Sequence, residues 1–111
     1  YVSYDSYPVS KFHSLIIPKR HISDFFDLNK DELFACYDVI HKIKKEIEKK
    51  DKLVKGFNIG TNAGLISGQT IMHCHIHLIP RRKGDVDNPQ GGVRAVIPLK
   101  QHYIKAHHCK G

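Results

Sequence analysis

Gly68-Gln69-Thr70-Ile71-Met72-His73-Cys74-His75-Ile76-His77-Leu78-Ile79-Pro80 decides how the rest of the chain reads. Apolar and polar residues alternate from Met72 onward, the period of a half-buried strand over Met72 to Ile79, and Pro80 ends it. Successive strand side chains point to opposite faces, so His73, His75 and His77 share one face at a spacing of roughly 6.5–7 Å. Cys74, Ile76 and Leu78 point the other way, into the core. Three imidazoles in a row make a poor core, because each carries a donor and an acceptor that must be matched when buried. They suit a pocket: neutral imidazole is a nucleophile, imidazolium is an acid, and a pKa of about 6.5 gives access to both. Alternating histidines on a strand can also chelate Zn²⁺, with a water completing the set.

Working outward, Gly56 to Gly60 reads as a strand entering a Gly-rich loop, Thr61 to Thr70. Asn29-Lys30-Asp31-Glu32 has the form of a capping box, with Asn29 as N-cap and Glu32 reaching back. Leu33, Tyr37, Ile40, Ile43 and Ile47 follow at helical spacing and predict a helix running to Lys50. His13 to Ile17 is an apolar, β-branched run stopped by Pro18, hence a strand, and residues 1–10 read as a short strand and turn. Beyond the polar stretch 81–92, Val93 to Ile97 predicts a last strand ended by Pro98. The order β-β-α-β-β-β with hairpin-length connections implies an α+β fold: a mostly antiparallel sheet of about five strands with one long helix packed on it. No repeat or linker divides the 111 residues, so they read as one domain, with 99–111 as a C-terminal tail.

Composition narrows the function classes. With 41% hydrophobic and 26% charged residues the chain is neither disordered nor fibrous, and it has no apolar run long enough for a membrane span. No signal-peptide pattern is visible. Three cysteines, Cys36, Cys74 and Cys109, form no Cys-x-x-Cys, which argues against a disulfide framework or a cysteine-based structural zinc and fits a cytoplasmic setting. The net charge of +7 favours anionic partners. The lysines from Lys42 to Lys55 read as the solvated back of the amphipathic helix rather than a nucleic-acid patch. His102, His107, His108 and Cys109 read as part of a mobile terminus rather than a metal-binding tail.

The chain resembles the histidine triad (HIT) nucleotide hydrolases and transferases. His73-Cys74-His75-Ile76-His77-Leu78-Ile79 fits their His-φ-His-φ-His-φ-φ signature, φ being apolar. Asp5 precedes His13 by eight residues, and His13-Ser14-Leu15-Ile16-Ile17-Pro18-Lys19-Arg20-His21, Gly56 to Asn62 and Gly68-Gln69-Thr70 follow the family's pattern. The likeness covers Asp5 to Arg82, in order and spacing. Lys11-Phe12 stands where members commonly carry Pro-Gly.

The resemblance implies an α+β homodimer that acts on dinucleoside polyphosphates or adenosine phosphoramidates without a required metal. His75 would attack the α-phosphorus and form a covalent nucleotidyl-histidine, from which water or another acceptor releases the nucleoside monophosphate. His73 and His77 would hold the phosphate and tune the nucleophile, and His13 would support them from the neighbouring strand. Gln69 and Thr70 would donate to phosphate oxygens, Asn62 would line the same pocket, and Asp5 would accept from the ribose hydroxyls of a purine nucleotide. Gly68-Gln69-Thr70 with Pro80-Arg81-Arg82 looks nearer the dinucleoside-polyphosphate branch. Arg81, Arg82 and Arg94 are candidates for the distal phosphates, since Arg suits bidentate phosphate contact.

Two other classes stand against this reading. A zinc-dependent hydrolase would use the histidines as ligands, and a non-catalytic nucleotide- or RNA-binding module would bind without turnover. The chain has no RNA-recognition aromatic motif, and it reads as neither a nucleic-acid nor a membrane partner.

Overall fold

The computed structural model describes residues 1–103. Four strands, β1 (Val2–Tyr4), β2 (Ser14–Ile16), β3 (Val54–Gly60) and β4 (Ile76–Arg82), form one antiparallel sheet in the order β1-β2-β4-β3. A single long helix, α1 (Lys30–Lys50), packs on one face. The α+β architecture expected from the sequence is present, with four strands among the described residues where about five were expected. Among the described residues no helix is long and apolar enough to cross a membrane. Much of the 99–111 tail reading falls on residues 104–111, including His107, His108 and Cys109, which lie outside the described residues.

The capping box opens α1 as expected. Asn29 Oδ1 accepts from Glu32 N at 2.8 Å and Glu32 Oε1 accepts from Asn29 N at 2.9 Å, satisfying two N–H groups the helix leaves without partners. The buried face differs from the expected stripe. Cys36 and Ile47 are buried and Val39, Ile40 and Ile43 pack beside them, while Leu33 and Tyr37 are exposed. The rows 33/37/40 and 36/40/43/47 are both helical stripes that share Ile40, and the sheet covers only the second.

From β4, Ile76, Leu78 and Pro80 are buried on the helix side, where Ile76 and Leu78 join Ile16 of β2 and Val54 of β3 in the core. His77, Ile79 and Arg81 therefore point to the opposite, open face. The register places Leu15 opposite His77 and Asn58 opposite Ile79, so these residues share that open face.

Two expectations for the sheet need correction. The strand expected over Met72 to Ile79 is shifted and runs Ile76–Arg82, with Pro80 inside it. Proline is tolerated there because β2 has already ended. The Pro80 carbonyl accepts from Ser10 Oγ at 2.9 Å on β2's side of the strand, and the missing N–H faces the same side, past the last β2 pairing at Leu78. The strand expected over Val93–Ile97 is instead a 3-10 turn, Gly92–Val96. Gly91 (φ 95°) and Gly92 (φ 46°) turn the chain away from the sheet, and the Gly91 backbone packs so closely on the Gln101 carbonyl that a side chain there would overlap it. The β-branched residues of the segment have strand propensity without a strand to pair with.

Candidate active site

The open face carries a histidine cluster whose proton positions follow from its hydrogen bonds. His75 Nδ1 lies 2.8 Å from the His73 carbonyl oxygen. A carbonyl only accepts, so Nδ1 carries the proton and the neutral ring keeps its lone pair on Nε2. Thr61 Oγ1 donates to the His75 carbonyl at 2.7 Å and fixes this residue at the mouth of β4. The His75 and His77 rings are neighbours, 5.2 Å apart and nearly perpendicular.

His13, just ahead of β2, is buried. Its Nδ1 accepts from the Val9 N–H at 3.2 Å, so in the neutral ring the proton sits on Nε2 and points at His77 Nδ1, 2.9 Å away. His77 then carries its own proton on Nε2. Burial pushes the pKa of both rings down, and His13 and His75 lower that of His77 further, while Asp5 opposes the shift in each. Neutral imidazoles with this proton order are the resulting state near pH 7.

Asp5 lies on the same face. Its Oδ1 caps the turn by accepting from Tyr7 N at 2.8 Å, and its Oδ2 faces His13 Nε2 at 3.4 Å and His77 Nδ1 at 3.9 Å. Ligand atoms of Asp5, His13 and His77 all lie within 4.8 Å of one another, so among the described residues this trio is the group that could hold a metal ion.

His73 departs from the shared face. Residues 71–73 form a bend ahead of β4, and the His73 ring packs on His21 with centroids 4.7 Å apart. Its Nε2–H donates to the Pro18 carbonyl at 3.2 Å, and its Nδ1 accepts from His21 Nδ1–H at 3.2 Å. His73 reaches His75 through its carbonyl, not its ring. His21 and Thr61 were not singled out from the sequence. Both lie inside stretches that carry the family resemblance, His13 to His21 and Gly56 to Asn62, but the meeting of His21 with His73 across 52 positions is a contact no local pattern signals.

Gln69 is buried with its amide fully engaged. Oε1 accepts from Gly64 N at 2.9 Å, and Nε2 donates to the Ser23 carbonyl at 2.6 Å and the Ile71 carbonyl at 3.0 Å. In this structure the side chain shapes the Gly-rich loop instead of presenting donors to its mouth. Thr70 is exposed beside it, and Asn62 is half-buried at the start of the loop.

The three arginines expected to reach distal phosphates are engaged within the fold. Arg81 grips Asp85 with two bonds of 2.8 Å and donates to Asn58 Oδ1 at 2.6 Å, and this grip holds the Asp85 carboxyl well below the usual carboxylate range. Arg82 binds Asp51 at 2.9 Å and the Lys11 carbonyl at 3.1 Å. Arg94 donates to the Lys100 carbonyl at 3.1 Å and lies 4.7 Å from the centre of the Tyr103 ring.

Comparison with known proteins shows the family. The family model described as HIT domain matches residues 1–84. An uncharacterized HIT-like protein of Methanocaldococcus jannaschii is 42% identical over 82 residues, covering 73% of this chain and 61% of the relative. The asymmetrical bis(5'-nucleosyl)-tetraphosphatase of Schizosaccharomyces pombe is 37% identical over 78 residues, covering 70% of this chain and 42% of that enzyme. The crystal structure of a HIT family protein from Bacillus anthracis superposes with a TM-score of 0.71 at 37% identity, covering 76% of this chain and 59% of that one. The chain thus spans 42% to 61% of the length of these relatives.

Proposed function

The chain belongs to the HIT family, and from that premise we propose that it is a nucleotide hydrolase or nucleotidyl transferase cleaving dinucleoside polyphosphates at the α-phosphate. The observation that carries this reading is the His75 Nδ1–H bond to the His73 carbonyl, which leaves an unprotonated Nε2 at the open face beside a second imidazole.

In the first step His75 Nε2 forms a bond to the α-phosphorus, the bond from phosphorus to the bridging oxygen breaks, and the polyphosphate leaves as its anion while His77 Nε2–H donates a hydrogen bond to the departing oxygen. His13 Nε2–H, aimed at His77 Nδ1, holds that ring in the donating tautomer. In the second step water attacks phosphorus, the nitrogen–phosphorus bond breaks and returns its electron pair to His75 Nε2, and the monophosphate leaves with one water hydrogen on its new oxygen while the other proton passes to solvent. Backbone N–H groups of the Gly-rich loop, shaped by Gln69, and the hydroxyl of Thr70 stabilise the phosphoryl oxygens, with Asn62 beside them. Asp5 binds the ribose. No metal is required for these steps. We further propose a cytoplasmic homodimer, formed along β3, the longer edge strand of the sheet.

The test measures AMP release from diadenosine tetraphosphate and from adenosine 5′-phosphoramidate, with and without EDTA, by this protein and by His75→Ala. AMP from the unaltered protein alone, undiminished by EDTA, is expected, and the faster substrate names the leaving group. A metal-dependent hydrolase is the reading that the Asp5, His13 and His77 trio favours, and loss of activity in EDTA with recovery on adding zinc would replace the metal-free mechanism with it. Binding without AMP release would move the assignment to a binding module.

A further inference from the structure

A cleft of about 450 Å³ opens on the same face as the histidines, beyond His77. Its near wall is Val9, whose N–H holds His13 Nδ1, and Ile79, two residues past His77 on the same side of β4. Its far wall is built by Asp87, Pro89 and Ala95, from the segment that lies outside the residues matching the family model. The half nearer the histidines comes from residues that match the family model, and the half that shapes the opening comes from the segment after them.

The lining chemistry is not that of a phosphate site. Its cationic side chain, Arg81, is already neutralised by the two-bond grip of Asp85. Arg81 Nη1 also donates to Asn58 Oδ1, which leaves the Asn58 amide N–H groups as donors, while the Asp87 carboxylate offers acceptors on the opposite wall. Aliphatic surfaces of Val9, Ile79 and Ala95 supply flat apolar contact. An uncharged planar heterocycle with both donor and acceptor edges matches this set, and the cleft volume is that of a small-molecule site. The position is also apt: Ile79 lies roughly 13 Å along the strand from His75, a gap for a short polyphosphate to bridge.

We infer that this cleft binds the base of the leaving nucleoside, so that the segment after residue 84 makes the enzyme prefer a leaving group ending in a second nucleoside. The inference rests on the nucleotidyl-transfer reading above. The test compares kcat/KM for diadenosine tetraphosphate with that for adenosine 5′-phosphoramidate, which shares the transferred adenylyl group but has no second base. Two variants are used, Ala95→Phe to fill the cleft and Asp87→Ala to remove its acceptor. Ala95 and Asp87 are both exposed, outside the core. Each variant is expected to lower the ratio of the two constants about tenfold through a raised KM for the dinucleotide. An unchanged ratio in both variants, with the unaltered protein active on both substrates, overturns the cleft's role and leaves the chemistry standing. No AMP from either substrate with the unaltered protein overturns the chemistry, and the cleft's role with it.

Discussion

His13 Nε2 and His77 Nδ1 lie 2.9 Å apart, joined across β2 and β4, although 64 positions separate them in the chain. The buried ring is held from behind by the Val9 N–H, so the half-exposed ring in front has one tautomer available when both are neutral. A protonated pair would place two cations in contact, and burial disfavours each of them.

That coupling makes stability depend on pH with a definite sign. Both pKa values are lowered in the folded protein, so below the unfolded value of about 6.5 the unfolded chain binds more protons than the native one. The stabilising contribution is complete above that pH and is lost as pH falls through it toward the folded values. The melting temperature is therefore expected to drop by several degrees between pH 7.5 and 5.5. In His13→Asn the drop should be smaller, and an equal drop in both proteins would contradict the assignment.

Gln69→Leu is expected to destabilise the fold by about 3 kcal/mol, because it strands the Gly64 N–H and the Ser23 and Ile71 carbonyls in a buried position. Gln69→Glu should be no better, since it sets a carboxylate against two carbonyl oxygens. Urea unfolding measures both. A Leu variant of unchanged stability but impaired activity would return Gln69 to direct phosphate contact.

Phe12 has φ 71°, in the left-handed region, and stands where the family pattern commonly has glycine. Its ring is nonetheless useful, packing on the core with the Lys11 and Lys50 ammonium groups 5.2 and 5.6 Å from its centre. Phe12→Gly loses the ring and relieves the backbone, whereas Phe12→Ala loses the ring and keeps the strain. The glycine variant should be the more stable of the two by about 1 kcal/mol, the reverse of the usual order. Denaturation curves that rank alanine first would show that the turn is not under strain.

The Cys74 thiol, buried behind the histidines, is pushed up to about 11 by burial, and burial raises Cys36 as well. Neither should react with a thiol reagent at pH 8 until the protein is unfolded. Rapid labelling of Cys74 in the native state, mapped by peptide mass, would count against the burial of that strand face.

What the sequence displayed and what it concealed divide along the range of the forces involved. The period of two put Cys74, Ile76 and Leu78 in the core and His75 and His77 outside it, because alternation is a local property of a strand. His73 escaped the pattern because pairing begins only at Ile76, and its ring is claimed by His21, a partner that no window around residue 73 contains. Pro80 read as a stop because its missing N–H is costly only where a neighbouring strand needs it, and the length of β2 is not written near residue 80. Val93 to Ile97 read as a strand on side-chain preference, while the backbone of Gly91 and Gly92 had already turned the chain aside. Gln69 was legible as important, but its partners within the fold, at 23, 64 and 71, were not, since they are set by how the loop folds back.

Three main-chain groups, the Val9 N–H and the carbonyls of Pro18 and His73, decide where the protons sit on His13, His73 and His75. A peptide group survives the exchange of one side chain for another. Positions 9 and 18 can therefore drift in identity over generations while the protonation pattern stays heritable, and at position 9 proline alone would erase it, by removing the N–H itself. The order of hydrogens in the site is inherited through the path of the chain more than through its letters.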